Sequence, residues 1–264
     1  MKIGFIGCGN MGGALAVCAA KAAGNTEILL NDRDREKALA LFGKTGGEYR
    51  EITVLAAEAD YIFLGVKPQF MAEMLSEIRP TLAARKDRFV LVTMAAGMTI
   101  EKIRSLSGDY PVIRIMPNLA VSVGEGMLLY CSDGCSPEEI ERFLAVMEGA
   151  GKFSLLPEKL IDAGSAVSGC GPAFACLFAE GLADGGVACG LPRAQADLLA
   201  AQTLLGAAKL LLESGKHPGE LKDAVCSPGG STIAGVLSLE ADAFRSASAE
   251  AVLASYERTL ELGK

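Results

Sequence analysis

Two short segments have the residue types and spacing to hold a ligand. Gly7-Cys8-Gly9-Asn10-Met11-Gly12 is a G-x-G-x-x-G turn directly after the apolar run Lys2–Ile6 and before a helical pattern. In that context the first glycine makes the tight turn, the second lets a pyrophosphate approach the backbone, and the third lets helix and strand pack closely. The helix start behind it offers free N–H groups and a partial positive charge to phosphate. Far along the chain, Ser227-Pro228-Gly229-Gly230-Ser231-Thr232 precedes another apolar helical pattern that begins with Ile233. Proline fixes one backbone angle, the glycine pair allows unusual ones, and Ser231 or Thr232 can cap the next helix. Free N–H groups at that start suit a small carboxylate, although an ordinary capped turn has the same sequence.

The second strand ends in Asn31-Asp32-Arg33-Asp34-Arg35. An acidic group there binds the ribose hydroxyls of NAD, whereas arginines there hold the 2′-phosphate of NADP. The segment offers both chemistries, and NADPH requires the Asp32 side chain to turn away. Later strand ends should also touch a dinucleotide, because ligands sit beyond the carboxyl ends of parallel strands. These are Val66-Lys67-Pro68-Gln69, Ala95-Ala96-Gly97 and Met116-Pro117-Asn118. His217 is the sole histidine, so a multi-histidine metal site is excluded and any Ser-His-Asp triad would have to use it. It precedes Pro218 and reads as part of a helix start. No metal site is expected.

The elements that must position these loops alternate. Strands are predicted near Lys2–Ile6, Glu27–Asn31, Asp60–Val66, Arg88–Met94 and Pro111–Ile115, with weaker ones at Met127–Tyr130 and Lys152–Leu156. Helical patterns near Gly12–Ala23, Asp34–Phe42, Pro68–Arg79, Thr99–Leu106 and Pro137–Glu148 separate them. Continuously apolar strands alternating with helices make a doubly wound, mainly parallel sheet, here an α/β N-terminal Rossmann domain over residues 1–157. Beyond Pro157 the strand signal stops. Glu158–Val187 and Arg193–Ser214 read as helices in an all-α C-terminal domain over residues 158–264. Leu198, Ala201, Leu205, Ala208 and Leu212 repeat at helical steps, and Leu199, Leu204, Leu210 and Leu211 carry the apolar surface round the cylinder. Such a helix is buried in a core or against another chain. A small helical domain has too little core for it, which points to a homodimer.

Composition narrows the class. The 264 residues are 50% hydrophobic, with a net charge of −7, and the chain has a pI near 5.0. An acidic chain lacks the basic face that nucleic acid requires. The opening segment is broken by glycines too early for an export signal, and no long apolar run suggests a membrane span, so a cytoplasmic protein is expected. Eight cysteines without a secretion signal read as small buried thiols in a reducing compartment.

Several of these segments together resemble the pyrroline-5-carboxylate reductase family. They are Gly4-Phe5-Ile6-Gly7 with its loop, Val66-Lys67-Pro68-Gln69, Ala95-Ala96-Gly97 and Arg114-Ile115-Met116-Pro117-Asn118. In the second half they are Gly169-Cys170-Gly171-Pro172-Ala173, Ala183-Asp184-Gly185-Gly186-Val187, Gly190-Leu191-Pro192 and Ser227 through Ile233. The Ser-Pro-Gly-Gly-x-Thr and Gly-x-Gly-Pro-Ala segments are the specific ones, and the likeness runs nearly end to end. It implies a Rossmann domain with a helical dimerisation domain, dimers that often form a decamer, and a preference, usually not absolute, for NADPH over NADH. It also implies a cyclic imine carboxylate as substrate, held by Ser227, Gly229, Gly230, Ser231, Thr232 and Ile233, with the Thr232 hydroxyl on the ring nitrogen. This chain departs from the pattern at Leu119-Ala120, at Cys170 where serine is common, and at Val225-Cys226. These departures bear on fine geometry, not on the reaction class. Two other readings are a 3-hydroxyacid dehydrogenase, which would need Lys209 or Lys222 as its acid and base, and a non-catalytic NADP-binding sensor.

Overall fold

A computed structural model describes residues 1–22 and 26–262 of the chain. It divides into two compact units, Met1–Gly169 together with the chain from Tyr256 onward, and Cys170–Ser255. The division falls after the first helix beyond Pro157, so that helix, α7 (Ile161–Ser168), is counted with the sheet.

The first unit is one eight-stranded sheet. Its strands are β1 (Lys2–Ile6), β2 (Glu27–Asn31), β3 (Glu48–Tyr49), β4 (Tyr61–Leu64), β5 (Val90–Thr93), β6 (Val112–Met116), β7 (Gly126–Asp133) and β8 (Gly151–Leu155). Their order is β3-β2-β1-β4-β5-β6-β7-β8. The first six run parallel, β7 pairs antiparallel with β6, and β8 runs parallel to β7. Ile3, Phe5, Ile62, Phe63, Leu91 and Val92 are buried, because helices cover both faces. The strand order reverses between β1 and β4, which is where a doubly wound sheet opens a ligand crevice.

The helices are α1 (Asn10–Ala20), α2 (Arg35–Thr45), α3 (Ile52–Glu58), α4 (Pro68–Ala84), α5 (Ile100–Ser107) and α6 (Pro137–Val146). The helix expected over Gly12–Ala23 begins earlier, at Asn10; Ala23 itself lies outside the described residues. α4 runs past its expected end at Arg79 because Pro80 is tolerated within it. β3 and α3 have no counterpart in the sequence reading. A two-residue strand has too few residues for a period, and α3 is a seven-residue helix showing only Leu55 and Ala56 to the core.

The stretch expected as one helix over Glu158–Val187 is three pieces. A 3-10 turn (Glu158–Leu160) leads into α7, and Gly169-Cys170 separates α7 from α8 (Gly171–Ala188). By length and composition alone, the Glu158–Ala188 stretch is apolar enough to cross a membrane, although the break at Gly169-Cys170 divides it.

The second unit contains α8, α9 (Arg193–Ser214), α10 (Pro218–Ala224) and α11 (Ser231–Ala241), with α12 (Phe244–Leu262) closing the chain. α8 and α9 meet through small residues: Ala183, Ala196 and Ala200 are buried, and Val187 packs on them. Arg193 bridges the pair through Asp184 at 2.7 Å. The leucine stripe of α9 is not buried within this chain; Leu198 is 62%, Leu205 58% and Leu212 67% exposed. Cys176 and Cys189 are likewise exposed, which corrects the expectation of uniformly buried thiols.

Candidate active site

Local backbone chemistry builds the glycine turn. Gly7 has φ +103°, a conformation that side chains resist, and its N–H donates to the Asn31 carbonyl at 2.8 Å. A Cβ on Gly7 would lie 2.5 Å from the Gly65 carbonyl oxygen, and one on Gly12 would strike the Gly7 carbonyl. Gly9 is different: a Cβ there would meet nothing within 4 Å. Gly7 and Gly12 thus serve close packing, while Gly9 borders open space. α1 has no side-chain cap, and its first helical bond runs from the Gly13 N–H to the Gly9 carbonyl at 2.7 Å. The N–H groups of Asn10, Met11 and Gly12 are left for a ligand. An open glycine at an uncapped helix start fits a dinucleotide pyrophosphate.

The remaining candidate cofactor residues line the same sheet edge. The register Ile6↔Leu64 and Leu64↔Thr93 sets Val66-Lys67 and Ala95-Ala96-Gly97 beside the glycine turn. Gly65 fastens the first two, its N–H donating to the Ile6 carbonyl at 2.7 Å. Sequence reasoning missed Gly65; a glycine at a strand end is the signal for such a close approach. Lys67 is exposed and lies just before Pro68, which opens α4 as its first residue with Gln69 behind it. Gly97 turns with φ +70°.

Two asparagines are engaged elsewhere. Asn31 donates through Nδ2 to the Arg50 carbonyl at 2.8 Å. Asn118 donates through Nδ2 to the Ser168 carbonyl at 2.9 Å and accepts the Met127 N–H at 3.2 Å. Both amides tie loops down. Cys8 is buried, and burial, reinforced by the nearby Asp32 carboxylate, pushes its thiol up to about 12.

Asp32 is turned inward. Its Oδ2 accepts the Cys8 N–H at 2.7 Å and its Oδ1 the Asp34 N–H at 2.9 Å. Arg33 lies over the Phe70 ring at 5.1 Å and Arg35 over the Tyr49 ring at 4.7 Å.

In the second unit, Ser227-Pro228-Gly229-Gly230 is a tight turn closed by the Gly230 N–H to the Ser227 carbonyl at 3.0 Å, with Gly229 at φ +67°. Gly230 caps α11 by backbone alone. Among the described residues the hydroxyls of Ser227, Ser231 and Thr232 have no partner in the chain, and Ser231 and Thr232 are exposed. The N–H groups of Ser231, Thr232 and Ile233 stand at an uncapped helix start. Together they make a set of free donors at one helix start. His217, in contrast, caps α10, its Nδ1 accepting the Gly219 N–H at 3.1 Å. Among the described residues no group of three or more His, Cys, Asp or Glu side chains could hold a metal.

Sequence reasoning also missed the burial of Arg114. It lies on β6, ion-paired to Asp162 at 2.7 Å and Glu158 at 3.4 Å, with its Nε unpartnered. An arginine inside an otherwise apolar strand was the available signal.

A Rossmann sheet with an open glycine turn, in one chain with a helical unit that has an uncapped helix start, defines the class of a nicotinamide-dependent oxidoreductase. Comparison with known proteins is specific. A family model described as pyrroline-5-carboxylate reductase dimerisation matches residues 158–262, and one described as NADP oxidoreductase, coenzyme F420-dependent, matches residues 2–97. The pyrroline-5-carboxylate reductase of Escherichia coli (strain K12) is 40% identical over 268 residues, covering 100% of this chain and 98% of its own. A solved pyrroline-5-carboxylate reductase from Coxiella burnetii superposes with a TM-score of 0.90 at 28% identity, covering 99% of this chain and 98% of its own. The Plasmodium falciparum pyrroline carboxylate reductase, solved with NADP bound, gives a TM-score of 0.85 at 31% identity over 100% and 98% of the two chains. The chain belongs to the pyrroline-5-carboxylate reductase family.

Proposed function

We propose that this protein reduces 1-pyrroline-5-carboxylate to L-proline, the last step of proline biosynthesis, with NADPH as the preferred reductant and NADH as a weaker one. The observation that carries the reading is the pairing, in one chain of this family, of two uncapped helix starts. One borders the open glycine turn, and the other is flanked by free hydroxyls. Bound at the sheet edge, the reduced nicotinamide supplies a hydride to the carbon of the C=N bond.

The chain's own residues hold and orient. The N–H groups of Asn10, Met11 and Gly12 take the pyrophosphate, and Val66, Lys67, Pro68, Gln69, Ala95, Ala96 and Gly97 form the floor beyond the strand ends. The N–H groups of Ser231, Thr232 and Ile233, with the Ser231 hydroxyl, take the substrate carboxylate, and Gly230 leaves room for it at the turn. The Thr232 hydroxyl bonds the ring nitrogen and fixes which face of the imine is presented. A protonated imine is already electrophilic, so no strong acid is demanded of the protein; on reduction the nitrogen becomes a neutral amine that takes its second proton from water. Orientation of this kind is the main contribution a protein makes to cofactor chemistry.

The exposed leucines of α9 fit burial against a second copy, and the match to a dimerisation domain supports a homodimer. A decamer of such dimers and a cytoplasmic location belong to the same reading. Light scattering at micromolar concentration distinguishes a dimer or decamer from a monomer, and a monomer would remove the oligomer. The function is tested by following NADPH, then NADH, with 1-pyrroline-5-carboxylate and its six-membered homologue. Binding of NADP+ without turnover of either imine would defeat it.

A further inference from the structure

We infer that Asp32 is a latch for the glycine turn and that Phe70 is a positioning residue that presents Arg33 to the 2′-phosphate of the cofactor, so that this pair sets the preference for NADPH. The inference rests on the reductase reading above and deepens it.

An acidic side chain at the end of β2 commonly selects NAD by accepting the ribose hydroxyls. Here each carboxylate oxygen of Asp32 accepts one backbone N–H, that of Cys8 at Oδ2 and that of Asp34 at Oδ1, which turns the carboxylate toward the loop. The first of these bonds joins the end of β2 to the middle of the glycine turn. Its job is to hold the pyrophosphate loop, which both cofactors share. With Asp32 anchored in this way, the exposed cations beside it are the groups placed to discriminate a 2′-phosphate.

Arg33 and Arg35 are exposed, and among the described residues neither is paired with a carboxylate. Each guanidinium instead lies over an aromatic ring, Arg33 over Phe70 in the first turn of α4 and Arg35 over Tyr49 on β3. A cation over a ring keeps its charge and its in-plane N–H donors. Arg33 also bridges from the end of β2 to the helix that follows β4, the two strands that flank β1 and its glycine turn. A dinucleotide bound at that turn would carry its 2′-position toward the end of β2, where Arg33 offers a planar donor that the ring orients.

The test uses the full-length enzyme and two readouts. Calorimetric titration gives Kd for 2′,5′-ADP against 5′-AMP, which differ only in the 2′-phosphate, and steady-state kinetics give KM for NADPH against NADH. Phe70→Leu keeps an apolar side chain and removes the ring. It should weaken 2′,5′-ADP and raise KM for NADPH by about 3-fold, the worth of one exposed cation–ring contact. The 5′-AMP and NADH values should move less than about 2-fold, and Phe70→Tyr should restore the preference. Arg33→Ala should cost NADPH about 10-fold or more, as loss of a charged hydrogen bond does. Asp32→Ala should weaken both cofactors alike. Equal losses for the two ligands in Phe70→Leu, or a loss confined to NADH in Asp32→Ala, would overturn the assignment. If the wild-type protein neither binds NADP+ nor reduces the imine, the fault lies with the reductase reading and shows before any variant is made.

Discussion

Gly65 faces the carbonyl of Gly7 so closely that a Cβ on Gly65 would lie 2.7 Å from that oxygen. The contact sits where the strand order reverses, so the shape of the pyrophosphate turn depends on a residue from a different strand. Gly65→Ala must push the two strand ends apart. Overpacking of this kind costs about 1–3 kcal/mol. The expected result is a lower melting temperature and an NADP+ affinity weakened at least about 10-fold. An alanine enzyme with wild-type affinity would show that the turn yields without consequence.

Thr232 has a free hydroxyl at the start of α11. Thr232→Ala is expected to lower kcat/KM for the imine by roughly 10- to 100-fold, the worth of one well-placed polar contact. The Kd for NADP+ should stay as it is. An unchanged kcat/KM would take the ring-nitrogen role from this residue, and Thr232→Ser should recover most of the loss.

Arg114 is a fully buried charge on β6, and Asp162 and Glu158 hold it from the segment that follows β8. Removing one member of a buried ion cluster costs about 3–5 kcal/mol because the partners lose their compensation. The two carboxylates here keep some contact with water, so Arg114→Ala should fall near the lower end. Urea unfolding measures it, and a loss under about 1 kcal/mol would mean that the carboxylates rehydrate freely.

Glu139 closes a capping box with Ser136 and accepts two bonds from Arg88, at 2.7 and 3.1 Å. The Arg88 hydrogen bond holds its carboxyl below the usual carboxylate range. The folded protein thus takes up this proton less readily than the unfolded chain. Its stabilisation is complete above about pH 4.3 and is lost as the pH falls through the lower folded value. Glu139→Gln should cost about 1–2 kcal/mol at pH 7 and progressively less below pH 4, read from urea midpoints across the range. A cost that did not shrink in acid would locate the effect in packing.

The Cys8 thiol is raised to about 12 by burial, so little thiolate exists at neutral pH. Iodoacetamide at pH 8 should leave Cys8 unmodified in the folded enzyme and label it in urea, as peptide mass spectrometry would show. Rapid labelling of the folded protein would mean that the turn opens.

The fold class and both loops could be read from the chain because their signals are local. A glycine turn after β1, a buried apolar period in β4 and β5, and Pro228 before a glycine pair are each determined within a few residues. Short elements escaped: β3 has two residues, and α3 buries only two side chains. The single helix expected over Glu158–Val187 shows the limit of an apolar period, which does not register a break at Gly169-Cys170.

Residue order alone set the sheet, the glycine turn and the turn before α11, since backbone sterics and hydrophobic period act over one or two turns of chain; the cap expected from Ser231 or Thr232 is instead the Gly230 backbone, which leaves both hydroxyls free. It left open whether Asp32 would face the ribose or the loop, whether Arg114 would be buried, and what Arg33 would lie against. Those outcomes needed the folded chain. Asp32 meets the Cys8 N–H only because β1 and β2 are paired, Arg114 meets Asp162 only because α7 packs on the sheet, and Phe70 reaches Arg33 only because β2 and β4 flank the same strand. A side chain's partner is a property of distance in space, and for these residues the distance along the chain says nothing about it.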